Sequence, residues 1–176
     1  MDSGNIFYAK HEGLLVLKFV GHIRYSIGDS YRISSSLDSF VEQFLDDRDI
    51  DKVLIDLSET RSIDSTNLGL LAKIAHFCRE HSKPKATILS TNEDINVILD
   101  TVRFDQVFLI LHDASQPDIE LKELPDVDPA DKELAHMILD AHKALTVIDE
   151  KNREMFKNVV EVLEKRVAGK RPCDNS

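Results

Sequence analysis

Apolar positions in this chain come in short continuous runs separated by longer stretches of three-to-four spacing. Residues 5–10 and 14–21 read as two strands joined by a short turn at residues 11–13. The second of them, LLVLKFV, is β-prone and bounded by Gly13 and Gly21. A polar loop over residues 22–34 leads to a helix with Leu37, Phe40, Val41, Phe44 and Leu45 on one face, for which Ser34, Ser35 and Ser36 are candidate N-caps. Residues 52–57 (KVLIDL) form a nearly continuous apolar run, as in a strand buried on both faces. A short loop then leads to a helix starting near Ser65, on which Leu68, Leu71, Ile74, Ala75 and Cys78 recur at helical spacing. Residues 86–90 (ATILS) make another strand. Thr91-Asn92-Glu93-Asp94 opens a helix carrying Ile95, Ile98, Leu99 and Val102, and residues 107–111 (VFLIL) close the series.

The resulting order, ββαβαβαβ, predicts an α/β domain over residues 1–115. Its sheet is mixed and mostly parallel, built through right-handed crossovers, with the N-terminal hairpin at one edge. Residues 116–130 carry prolines and acids and read as a linker. Residues 131–168 are expected to be a helical extension, with one stripe of Leu134, Met137, Ile138, Ala141 and Leu145 and another of Phe156, Val159, Val160 and Leu163. A break near residues 147–152, with Asp149 as second N-cap, would divide it into two helices; one bent helix is the alternative. Residues 169–176 are expected to be a disordered tail.

Composition narrows the function classes. The 176 residues are 42% apolar and 31% charged, which is ordinary for a globular chain. The longest apolar stretches are only strand-sized and the N-terminus has no signal-peptide order, so a cytoplasmic protein with no membrane partner is expected. A formal charge of −10 disfavours nucleic acid and makes a basic protein surface the natural partner. Cys78 reads as a small buried hydrophobe and Cys173 lies in the polar tail; neither has zinc-site spacing. The histidines show no metal spacing either, and His76, His136 and His142 read as surface or partly buried. The sequence shows no P-loop, no nucleophile elbow and no nucleophile paired with a base. No catalytic residue, metal or cofactor is therefore expected.

The informative stretch is residues 53–77, VLIDLSETRSIDSTNLGLLAKIAHF, read as strand, loop, Asp-Ser-Thr, helix. Residues at a helix start lie where unpaired backbone N–H groups and the positive end of the dipole point outward, so a phosphate placed there meets ready donors. Taken alone, Ser65 reads as an N-cap. Asp64 reads equally as a helix-start acid or a partner contact, and Asp56 as a structural acceptor for loop N–H groups. Gly69, one turn in, permits close approach of the sheet or of a partner. Arg24 and Tyr25 follow a strand that should end on the same side of the sheet as Ser65.

Asp56-Leu57-Ser58, followed by Ile63-Asp64-Ser65-Thr66-Asn67-Leu68-Gly69, resembles the signature of STAS domains, the fold of anti-sigma-factor antagonists. Its typical form is D-L-S, a short gap, then D-S-S/T-G-L-G. The resemblance covers roughly residues 5–114 and is nearest to bacterial antagonists of gamma-proteobacterial type with a C-terminal helical segment. It implies a STAS fold and a protein-binding switch that sequesters an anti-sigma factor while Ser65 is unphosphorylated. It also implies a serine kinase and phosphatase regulator protein acting on Ser65, with Thr66 as back-up acceptor. Asp64, Ser65, Thr66, Asn67, Arg24 and Tyr25 would form the partner-binding surface. Asn67 stands where the family has glycine, and asparagine tolerates unusual backbone angles. The loop after the second strand, Gly21-His22-Ile23-Arg24-Tyr25, has no acid where the family often has one, which points to a partner with another charge pattern. The alternative function is a small-ligand or nucleotide sensor using the same helix start as an anion site. A homodimer is left open.

Overall fold

Glu12 (φ 48°) and Gly13 (φ 83°) form the two-residue turn between β1 (Asn5–His11) and β2 (Leu14–Ile23). Positive φ at both positions is the turn whose twist matches that of the flanking antiparallel strands. The structure is a computed structural model and describes residues 4–24, 30–45, 47–113, 115, 117–125, 127 and 131–169. From β2 the chain crosses through α1 (Ser30–Leu45) to β3 (Lys52–Ile63), and through α2 (Ser65–Glu80) to β4 (Thr87–Leu89). It then crosses through α3 (Glu93–Thr101) and a single 3-10 turn, Phe104–Gln106, to β5 (Leu109–Leu111). β2, β3, β4 and β5 pair in parallel. The fold is the α/β class expected, a mixed, mostly parallel sheet with a C-terminal helical segment. Leu17, Phe19, Ile55, Leu57, Leu70, Ile88 and Phe104 are sealed in its core. Cys78 is buried there too, and burial pushes its thiol pKa up, so it behaves as the small hydrophobe expected; Cys173 lies outside the described residues.

Three elements differ from the pattern-based expectation. β3 does not end at Leu57 but runs on to Ile63, and its register against β2 slips between Lys18 and Val20 and again between Gly21 and His22. Asp56, 2% exposed, accepts bonds from the Ser58 N–H (2.9 Å) and hydroxyl (2.6 Å) across the first slip. Its structural reading therefore holds, although the N–H it satisfies is in the strand itself. α1 starts at Ser30, so Ser34, Ser35 and Ser36 are not caps: they lie mid-helix and buried. There they let neighbouring chain approach closely, Ser34 Oγ donating to Asn67 Oδ1 (3.1 Å) and Ser36 Oγ accepting the Val127 N–H (3.0 Å).

The third difference lies in the stretch read as a linker, which supplies β6 (Lys122–Glu123). This strand pairs antiparallel with β1, and the Leu124 N–H donates to the Ile6 carbonyl (2.8 Å). The sheet order is β5-β4-β3-β2-β1-β6, so the N-terminal hairpin is not the edge.

The helical extension is two helices, α4 (Asp131–Thr146) and α5 (Glu150–Gly169), packed on each other, with α4 against α2. Asp149 is the second N-cap, as expected, accepting from the Asn152 N–H (2.9 Å). Met137, Ala141 and Leu145 are buried as predicted. On α5 the inward line is Asn152, Phe156 and Leu163, whereas Val159 is 42% exposed and points out. Gly169, expected to open a disordered tail, is the last residue of α5, and residues 170–176 of that tail lie outside the described residues. No helix among the described residues is long and apolar enough to cross a membrane.

Asp149 also ties the helical pair to the sheet domain, accepting from Arg103 Nε (2.8 Å) and Gln106 Nε2 (3.2 Å). The Asn152 N–H first, and then Arg103, hold its carboxyl below the ordinary carboxylate range. A carboxylate with a depressed folded-state pKa contributes stability that is complete above its unfolded pKa, near 4, and is lost as pH falls through the folded value. Thermal melts between pH 5 and about pH 2 should therefore show a smaller acid-induced loss for Asp149→Asn than for the native chain. Parallel curves would show that this tether contributes nothing to the acid response.

Candidate functional site

The end of β3 delivers the chain to α2 through Asp64, whose N–H donates to the Ile23 carbonyl of β2 (3.1 Å). Asp64 is extended (φ −93°, ψ 172°) and is the N-cap, its Oδ1 accepting from the Asn67 N–H (3.0 Å) and from Asn67 Nδ2 (2.8 Å). Ser65 is therefore not the cap but the first residue of the helix. Its side chain is partly exposed, beside N–H groups that have no partner within the helix.

Asn67 has no left-handed backbone; it sits inside α2, fully buried, in the hydrogen-bonded line Ser34–Asn67–Asp64. The amide suits that position by donating to one neighbour and accepting from the other, and not by tolerating strain. Thr66 is 6% exposed. Thr66 and Asn67 thus support the Ser65 turn from beneath. Arg24 is exposed, and its Nε–H donates to Ser62 Oγ (2.9 Å), with His22 Nδ1 also 2.8 Å from that oxygen. Arg24 and Asp64 therefore lie at one end of the β2–β3 pair, on the expected side. Tyr25 lies outside the described residues.

A residue with no functional assignment in the sequence completes the site. His142 of α4 is 4% exposed, and its Nε2 lies 2.8 Å from Ser65 Oγ. Its Nδ1 is 2.8 Å from the Ile138 carbonyl, which can only accept. Nδ1 therefore carries a proton, and in the neutral imidazole Nε2 is the acceptor of the Ser65 hydroxyl. His76 of α2 makes a second link, its Nε2 donating to the Ala144 carbonyl (2.7 Å). Between them the helices touch at Gly69, where an added Cβ would come within 2.1 Å of the Ala141 carbonyl oxygen. The close approach that Gly69 permits is taken by this chain's own α4.

The expectation that no hydroxyl is paired with a base needs correction: Ser65 and His142 are such a pair. The two residues are 77 positions apart, and no local pattern joins them. His142 does fall on the inward side of α4, four residues after Ile138 and next to Ala141, which marks it as buried without naming its partner. Chemically the pair lacks the carboxylate that orients the imidazole in hydrolytic triads, a backbone carbonyl taking that position, and α4 lies directly over it. Among the described residues no cluster of three His, Cys, Asp or Glu side chains is arranged to hold a metal ion.

No protein-family model matches the chain, and no curated protein sequence matches it. Among solved structures, it is similar to the anti-sigma factor antagonist SpoIIAA in its unphosphorylated form. The match covers 62% of this chain and 87% of that one, at 9% identity and a TM-score of 0.49.

Proposed function

We propose that this chain is a STAS-type anti-sigma factor antagonist, a cytoplasmic binding protein switched by phosphorylation of Ser65. The observation that carries the reading is the placement of Ser65. The Asp-Leu-Ser and Asp-Ser-Thr segments lie on β3 and at the start of α2, and Asp64 takes the capping role. The Ser65 hydroxyl is thereby left partly exposed at the positive end of a sixteen-residue helix. A partner kinase would join Ser65 Oγ to the γ-phosphorus of a nucleoside triphosphate. The bond from that phosphorus to the β,γ-bridging oxygen breaks, the nucleoside diphosphate leaves, and the hydroxyl proton passes to a base. A partner phosphatase restores the hydroxyl by transferring the phosphoryl group to water.

The partner surface is the Asp64–Ser65 turn together with Arg24, with Thr66 and Asn67 shaping it from below. Thr66, with its side chain turned inward, is the weaker acceptor. Phosphorylation adds about −1.5 to −2 charges beside the Asp64 carboxylate, enough to repel an apolar or acidic partner face.

Peptide mass spectrometry of the protein from its native cells should find phosphate on Ser65. In binding assays Ser65→Ala should retain the anti-sigma factor, and Ser65→Asp should bind it roughly ten- to a hundredfold more weakly, or about 1.4–2.8 kcal/mol. Equal binding by both variants would overturn the switch. Ser65→Ala should remain folded, losing only about 1 kcal/mol with its hydrogen bond to His142.

A further inference from the structure

We propose that phosphorylation of Ser65 unlatches the α4–α5 pair from α2, so that the modified and unmodified chains differ in what covers that helix. The inference rests on the reading of Ser65 as the phosphoacceptor and adds a structural consequence to it. In the unmodified chain Ser65 Oγ donates its proton to a histidine nitrogen 2.8 Å away, and His142 is 4% exposed. A phosphoryl group removes that proton. It also adds a phosphorus and three oxygens to an oxygen that already lies 2.8 Å from a buried ring. The face it meets offers little: Nδ1 of His142 is committed to the Ile138 carbonyl, which leaves one ring nitrogen towards Ser65, and the neighbouring residue is the Asp64 cap. A phosphate beside a carboxylate is repelled by it.

α4 has little freedom to yield by a small slide. It rests on Gly69 through its own backbone at Ala141, and the Ala144 carbonyl is held by His76. Close-packed contacts of this kind tend to be either made or broken. Just past the end of α4, Asn152 and Asp149 tie the start of α5 to Val102 and Arg103.

The test is hydrogen–deuterium exchange on the full chain with phosphoserine installed at position 65 by genetic encoding, compared with native and Ser65→Ala proteins. Amides of α4 from Met137 to Thr146 are expected to exchange roughly ten- to a hundredfold faster in the phosphorylated chain, while β2 and β3 keep their protection. Ser65→Ala, which loses one hydrogen bond and adds no charge, should change the rates by less than about tenfold. His142→Ala, which opens space at Oγ and removes the ring, should suppress most of the effect of the phosphate.

Unchanged α4 exchange, from a phosphoserine turned out to solvent, would overturn the proposal. So would slower exchange, from a phosphate paired with a protonated His142. Loss of protection in β2 and β3 that His142→Ala does not restore would overturn it as well. Because the phosphate is installed independently of any kinase, the two readings fail separately. Native protein without phosphate on Ser65 would remove the proposed switch, whereas unresponsive α4 amides would remove only the unlatching.

Discussion

Gly69→Leu is expected to strip α4 and α5 from α2 while leaving the β-sheet folded. A Cβ at this position would lie 2.1 Å from the Ala141 carbonyl oxygen, 2.4 Å from its carbonyl carbon and 2.8 Å from its Cα. All three atoms are helix backbone, which cannot turn aside as a side-chain tip can. Within a helix leucine is preferred to glycine by up to about 1 kcal/mol, so the substitution strengthens α2 itself. The loss falls on the crossing and should reach about 3 kcal/mol of docking stability or more. Exchange protection should disappear from α4 and α5 and persist in β2 and β3, and unfolding should become less cooperative. Gly69→Ala, with the smallest possible Cβ, should show the same pattern more weakly. A Gly69→Leu protein that melts like the native one with α4 still protected would mean that the helices do not meet here.

Asn152→Ala should also loosen the helical pair, from the turn between α4 and α5. The Asn152 side chain is fully buried, and its Nδ2 donates to the Val102 carbonyl (2.8 Å) at the end of α3 and to the Leu145 carbonyl (3.0 Å) in the last turn of α4. One amide therefore joins α3, α4 and α5. Truncation leaves the Val102 carbonyl without this donor, at about 1–3 kcal/mol. It also takes one of two donors from the Leu145 carbonyl, which keeps the Ile148 N–H (3.3 Å). A total loss of roughly 1–4 kcal/mol is therefore expected in urea unfolding. Asn152→Asp is nearly the same shape but offers only acceptors to those carbonyls at neutral pH, and should be worse than alanine. An aspartate variant more stable than the alanine variant would show that shape, and not donation, is what the site requires.

The elements easiest to read in the sequence are those whose burial follows a single period. KVLIDL and the stripe from Leu68 to Cys78 declare β3 and α2 because, Asp56 apart, each is apolar wherever it meets the core. The second half of β3, SETRSI, was illegible for the opposite reason: slipped register and partial exposure give it a polar composition. The three serines of α1 misled because residues that favour caps also suit tight packing mid-helix, and only the neighbours at Asn67 and Val127 decide between the two. β6, with two paired residues, is too short to carry any period. At the site, the helix start is legible because capping is local chemistry, but its register is not: the cap is Asp64, one residue before the Ser65 that the pattern suggests. His142 was not, since its meaning depends on where a helix far along the chain comes to rest.

The position of β6 at the outer edge sets how far the helical pair can travel once free. The chain leaves the sheet from β5 at one edge and is fastened again beyond β1 at the other, before α4 begins. From Glu123 to Asp131 it can span no more than roughly 28 Å even if fully extended. An undocked pair therefore remains tethered near α2, at an effective concentration in the millimolar range typical of short linkers. An external protein competing for that helix face must overcome this local excess, whatever its own concentration. Once it departs, closure is a first-order step whose rate does not depend on how much protein the cell contains.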